Sequence, residues 1–290
     1  MPNHVSNRLT VKGTVKQVAE VMSCLVKDEK VTFNGFAPMP EELRGTTSPT
    51  SIVSEAEYKE HLAEKALLES QLQNPMMTED DKIKIQQKLD WMSIPITAKM
   101  QHNLIKKYGC DNWYDWSLAN WGTKWGAYDS HICDENTVEF DTAWSTPVQA
   151  MLTLSAKFPK VKIVVDFADE DFGYNVGEYT VQNGEIIEEN CPEGGSKEAI
   201  RKALDVKGDE DFYFFQWVTD EVSTVKELEA EIENGEFMAI LMEIAYESKK
   251  GCNGVRFVGQ YLLKKAVADG DKEYAKRLRA EIKLLKVKAE

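Results

Sequence analysis

YDSHICDENTVEFDTAWSTPVQAMLTLSAKFPKVKIVVDFAD, residues 128–169, reads as strand, turn, strand, helix, strand. Tyr128 to Cys133 and Val138 to Ala143 are β-prone runs that pair across the Asp134-Glu135-Asn136-Thr137 turn. Ser145 or Thr146 is the expected cap of a helix with Pro147 in its first turn. Met151, Leu154 and Phe158 take the core spacing and Pro159 ends it. In Val161 to Phe167 the odd positions are apolar, which predicts a half-buried strand. Beyond it, Asn183-Gly184 joins Tyr179–Gln182 to Glu185–Glu188 as a further hairpin.

Working back toward the N-terminus, Arg8 to Lys12 predicts a strand. Thr14 caps a helix whose Val18, Val21, Met22 and Leu25 share one face. Val31 to Phe36 is expected as a second strand, ended by Ala37-Pro38-Met39-Pro40. Residues 47–107 are rich in Glu, Lys, Gln, Leu and Ala, the composition of helices. Three helices are predicted there, over Ser54–Gln73, from Thr78, and from Pro95 to Gly109. Set aside as an inserted arm, they leave β-α-β followed by β-α-β. The predicted fold class is thus α+β, a ferredoxin-like split β-α-β sandwich with an inserted helical arm and a mainly helical C-terminal region. The expected organisation is a core of residues 1–46 and 108–190, the arm at 47–107, and a C-terminal region from 191 to 290. That region is expected to carry helices at Lys197–Leu204, Ser223–Asn234, Glu236–Ser248, Val255–Ala268 and Asp271–Lys288.

The chain has 290 residues, 42% hydrophobic and 29% charged, with a net charge of −14. Residues 1–163 carry −3, residues 164–248 carry −18 and residues 249–290 carry +7. So acidic a middle repels phosphate backbones, which weighs against sequence-independent nucleic-acid binding. The longest apolar run, Phe237 to Ala245, contains a glutamate and is too short to cross a bilayer. The opening MPNHVSNRLTVKG has neither the basic start nor the apolar core of a signal peptide, so a cytoplasmic location is expected. Cys24, Cys110, Cys133, Cys191 and Cys252 are odd in number and scattered, without a C-x-x-C pair.

Catalytic patterns are missing from the sequence. His61 and His102 lack a second ligand at helical spacing, and His131 with Cys133 makes only two ligands of a metal set. No phosphate-binding glycine loop and no nucleophile elbow occurs. The run Asp166 to Asp171 lacks the spacing of a calcium loop. It would serve a metal-dependent hydrolase or nuclease only if it met Asp141 or Glu178 in one pocket. No cofactor and no metal is expected. Between Cys110 and Trp144 lie five of the seven tryptophans, read as buried packing first, protein-facing surface second and base stacking third. Trp113 and Trp116 are candidate partner-binding residues on this count. Tyr274, Leu278, Ile282 and Leu285 are candidates too, as an apolar stripe on the last helix.

Three blocks carry a family resemblance: Pro2-Asn3-His4-Val5-Ser6-Asn7-Arg8-Leu9, Asn120-Trp121-Gly122-Thr123-Lys124-Trp125-Gly126-Ala127-Tyr128 and Phe140-Asp141-Thr142-Ala143-Trp144-Ser145-Thr146-Pro147. Together they resemble the YubB ferredoxin-like family, encoded by phages, prophages and plasmids. The resemblance covers about residues 1–46 and 108–180 and implies a fold and a genomic setting, with no reaction or catalytic residue. Thr123 and Thr142 are expected to tie turns, and Trp121, Trp125 and Trp144 to wedge helix against sheet.

The expectation that follows is a non-catalytic protein of a phage or mobile element. It binds a host protein, a component of antiviral defence, through the helical arm and C-terminal helices, with dimerisation or higher assembly through the same stripes as an open alternative. The rival readings are the acidic-run hydrolase or nuclease and a single-stranded nucleic-acid-binding protein.

Overall fold

Alternation along the first strand decides which way the sheet faces. In β1 (His4–Lys12) the odd positions Val5, Asn7, Leu9 and Val11 are buried, and His4, Ser6, Arg8 and Thr10 are half-buried. A capping box then opens α1 (Val15–Leu25): Gln17 N donates to the Thr14 hydroxyl, and the Gln17 side chain accepts from Thr14 N. This is a computed structural model, and it describes residues 3–90, 92–208, 235–248 and 255–287.

The expected second strand is not one. Only Lys30–Val31 (β3) pairs as a strand, with Val26–Lys27 (β2) in a two-stranded ribbon, and Phe33–Gly35 is a single 3₁₀ turn. The reason is geometric. A strand would send Phe33 and Phe36 to opposite faces, whereas a helical turn places residues three apart on one side. Both rings are buried in the same core, 5.9 Å apart.

The arm follows as β4 (Ile52–Val53), α2 (Glu55–Leu72), α3 (Glu79–Asp90), β5 (Ile96–Thr97) and α4 (Ala98–Tyr108). Its base is closed by β4 pairing in parallel with β5. Leu68 is the buried residue of α2, and α3 buries none, so the hairpin of α2 and α3 adds little core. After α5 (Trp113–Asn120) the chain enters the segment that decides the fold. It forms β6 (Tyr128–Ile132), β7 (Thr137–Ala143), α6 (Val148–Lys157) and β8 (Lys162–Asp169), then the hairpin β9 (Val176–Gln182) and β10 (Glu185–Asn190). Asn183 and Gly184 both take positive φ, as a tight two-residue turn requires.

Six strands pair antiparallel in the order β10-β9-β8-β1-β7-β6. Within them β8-β1-β7-β6 is the ferredoxin-like arrangement, and its second strand is β6 rather than Val31–Phe36. The whole of residues 26–127 is thus inserted between α1 and β6. One face of the sheet packs on α1 and α6 through Val5, Leu9, Phe140, Val165, Val21 and Leu154.

On the other face the described residues cover one half. α7 (Lys197–Lys207) lays Ala199, Ala203 and Val206 on Ala168 of β8 and Val176 of β9. Its Ile200 and Leu204 turn outward into a second cluster with α8 (Gly235–Ser248), α9 (Val255–Ala268) and α10 (Lys272–Val287). Arg8 fastens the end of α7 by donating to the carbonyls of Asp205 (2.8 Å) and Val206 (3.3 Å) while pairing with Glu139 at 2.8 Å. The predicted helix at Ser223–Asn234 lies outside the described residues. Among the described residues no helix is long and apolar enough to cross a membrane.

Candidate functional site

The tryptophan-rich stretch divides into two populations. Trp116 on α5 and Trp121 just after it are 7% and 6% exposed and stack edge to face, centroids 5.3 Å apart. Trp121 also meets Phe33 at 5.8 Å, and its indole N–H donates to the Ala37 carbonyl at 2.9 Å, so its polar edge is satisfied inside the core. Trp125 and Trp144, by contrast, are 39% and 44% exposed. The expectation that all three of Trp121, Trp125 and Trp144 wedge helix against sheet is corrected: Trp121 does, and the other two face outward.

Their placement follows from the turns beneath them. Gly122 has φ +81°, and a Cβ there would crowd the backbone nitrogens of Gln149 and Val148, a position that suits a residue without a side chain. The Thr123 hydroxyl donates to the Trp125 carbonyl, and Ser145 Oγ donates to the Gly122 carbonyl at 2.6 Å. Thr142 Oγ1 donates to the Ser145 carbonyl at 2.8 Å and accepts from Asn7 Nδ2 at 2.9 Å. Ser145 and Thr146 are therefore spent on these ties, Thr146 sharing a hydrogen bond with the buried Tyr179 hydroxyl. Pro147 takes the N-cap position of α6, without the side-chain cap that Ser145 or Thr146 was expected to give.

Between the two exposed indoles sits Lys124. Its Nζ lies 4.6 Å from the Trp144 ring centre and 4.9 Å from that of Trp125. Ring contacts continue on both sides. Tyr114 meets Trp144 edge-on at 6.3 Å and Trp113 at 5.7 Å. Tyr128 meets Trp125 at 6.2 Å, and its hydroxyl shares a 2.9 Å hydrogen bond with His4 Nδ1. The result is a continuous ridge of Trp113, Tyr114, Trp144, Lys124, Trp125, Tyr128 and His4, assembled from segments more than a hundred residues apart. Burial, reinforced by Asp141, Asp129 and Glu170, pushes the Tyr128 phenol up to about 12, so it stays protonated at physiological pH.

Trp144 holds its place at an energetic cost. Its φ is +72°, the left-handed region that bulky side chains avoid, at ~1–3 kcal/mol. Surface cation–π contacts return only ~0.5–1 kcal/mol. The conformation is maintained by its neighbours: Trp144 N donates to Asn3 O at 2.9 Å, and Asn175 Nδ2 donates to Trp144 O at 3.2 Å. Asn3 and Asn175 are in turn anchored on the buried Asp169 carboxylate at 3.0 and 2.8 Å. An exposed indole held in a costly geometry by hydrogen bonds anchored on a buried carboxylate is a common mark of a ligand-contacting residue.

Of the residues expected to bind a partner, Trp113 lies on this ridge and Trp116 lies beneath it in the core. The last-helix stripe points inward. Leu278 and Ile282 are buried against α9 and Tyr246, and Tyr274 is half-buried under the Arg277 guanidinium. The side chain of Leu285 lies outside the described residues. The docking-face reading of Leu278 and Ile282 is corrected on burial: the stripe meets its own chain. Lys124, Trp125 and Trp144 were not among the expected contacts, although a lysine between tryptophans, Trp-Gly-Thr-Lys-Trp, was the available signal.

The acidic run is also accounted for. Asp169 accepts from Asn3, Asn175 and its own neighbour's backbone, Asp171 N at 2.9 Å. Asp166 does face Glu178 across β8 and β9, but Lys202 of α7 fills the space between, bonded to both. Asp141 lies apart, in a cavity of about 190 Å³ with Ser6, Asp129, His131, Glu139 and Lys207. Among the described residues no three His, Cys, Asp or Glu side chains are placed to hold a metal ion. Burial and the Glu139 charge push the Cys133 thiol up, which disfavours the thiolate a metal needs beside His131.

A family model described as the ferredoxin-like domain in Api92-like protein matches residues 120–211, about a third of the chain. That span begins at the Lys124 loop and ends just past α7. Among solved structures the chain is similar to the crystal structure of a protein api92 from Yersinia pseudotuberculosis. Identity is 14%, 68% of this chain and 100% of that chain are covered, and the TM-score is 0.32. No curated protein matches. The chain contains a ferredoxin-like domain, and residues 120–211 are similar to that domain of Api92-like proteins.

Proposed function

We propose that this chain is a non-catalytic binding protein that grips another protein through the aromatic ridge centred on Trp144, Lys124 and Trp125. Exposed tryptophans bearing a cation and seated on a rigid base are the composition of an interface hot spot, since each ring removes a large apolar area from water at little entropic cost. The single observation that carries this reading is Trp144, outward-facing at 44% exposure and held at φ +72° by Asn3 and Asn175. In the setting implied by the resemblance to the YubB family, the chain belongs to a phage or other mobile element. The partner is then a host protein, a component of antiviral defence, met in the host cytoplasm. The arm, whose hairpin buries little, is available to extend that contact.

The test is co-purification at physiological salt. Tagged wild-type chain expressed in host cells is expected to recover a specific host protein that the W125A/W144A double variant, folded to the same melting temperature, does not. Equal recovery by both would refute the ridge as the interface.

A further inference from the structure

Resting on the protein-binding reading above, we infer that Lys124 is the receptor for a carboxylate, the side chain of an aspartate or glutamate on the partner protein. Among the described residues Lys124 makes cation–π contacts but no ion pair, although Arg8, Lys107, Lys197 and Lys202 all have carboxylate partners. The residue is half-buried and its ammonium group is already positioned by two rings, so little side-chain freedom remains to be lost on binding. The flanking indoles would exclude water from an incoming carboxylate, which strengthens a charge-assisted hydrogen bond.

The surroundings favour a single acidic side chain over a polyanion. At the Tyr128 end of the ridge, Asp129, Asp141 and Glu170 all act on the phenol, and the chain as a whole carries −14. Successive phosphates of a nucleic acid tracking along the ridge would meet those carboxylates. One carboxylate seated on Lys124, with apolar or hydroxyl-bearing neighbours along Trp125 and Tyr128, would not.

The experiment is a selection from a random peptide display library on the full chain, repeated on W125A/W144A and on K124M, which keeps the apolar stem. Selected peptides are then measured by fluorescence anisotropy. Peptides that need both tryptophans are expected to be enriched in Asp or Glu, to lose about tenfold or more in affinity for K124M, and to recover in part on K124R. If tryptophan-dependent peptides carry no acid enrichment, or bind K124M as well as wild type, the carboxylate inference fails and the ridge reading stands. If no peptide distinguishes W125A/W144A from wild type, the ridge reading itself fails. A 20-nucleotide oligo(dT) that binds wild type and is lost on K124M would overturn the inference in favour of nucleic acid.

Discussion

Trp121 and Trp125 are four residues apart on one loop, and the molecule uses them for opposite purposes. Trp121 turns inward, finds a carbonyl for its N–H and two aromatic neighbours, and carries part of the core. Trp125 turns outward and shares a lysine with Trp144. What separates them is the intervening Gly122 and the Thr123 hydroxyl, which reverse the chain between the two rings. Residue type therefore says little about role here. The backbone geometry between the residues decides it.

The contrast is broken most directly at its buried member. W121A is expected to cost ~3–5 kcal/mol, the usual range for removing a large aromatic from a core. Guanidinium denaturation would show it, and a loss below about 1 kcal/mol would mean that Trp121 is not a core residue. Next in size is K202M, which leaves Asp166 and Glu178 facing one another without a counterion. A loss of ~2–3 kcal/mol is expected, less than for a fully buried pair because the site is partly solvated. K202M should leave partner binding unchanged, which sharpens the division between what holds the fold and what meets the partner.

At the exposed member the expectation reverses. W144G relieves the left-handed backbone and loses the weaker surface ring contacts, so stability should fall by no more than about 1 kcal/mol, if it falls at all. A melting curve that falls as far as that of W121A would show that Trp144 is structural.

The smallest effect concerns pH. Burial, partly opposed by a hydrogen bond from Ser6, raises the pKa of Asp141. Its charged form is therefore disfavoured in the folded state. That penalty is present above the folded pKa and fades as pH falls through it toward the ordinary carboxylate value. D141N should be slightly more stable than wild type at pH 7, and the gap should narrow on acidification. Thermal melts of both chains across that range check the sign, and a gap that widens toward acid would contradict it.

Much of the fold is legible in the sequence because alternation in residues 128–169 and the capped periodicity of α1 are local signals. Val31–Phe36 misleads because its apolar residues suit a strand as well as a turn, and only the shared burial of Phe33 and Phe36 tells them apart. The stripe on α10 is visible as amphipathic, but an apolar face carries no mark of whether its own chain or another covers it. The ridge is hidden for a different reason. His4, Lys124 and Trp144 become neighbours only once β1 lies beside β7 and the loop after α5 folds over the end of the sheet.

The central claim is that the exposed indoles serve recognition and not folding. Its most direct test is isothermal titration of the recovered partner into the W125A/W144A chain beside wild type. At least a tenfold weaker Kd with an unchanged melting temperature is expected. Equal affinity, or a loss of binding that only accompanies unfolding, would contradict it.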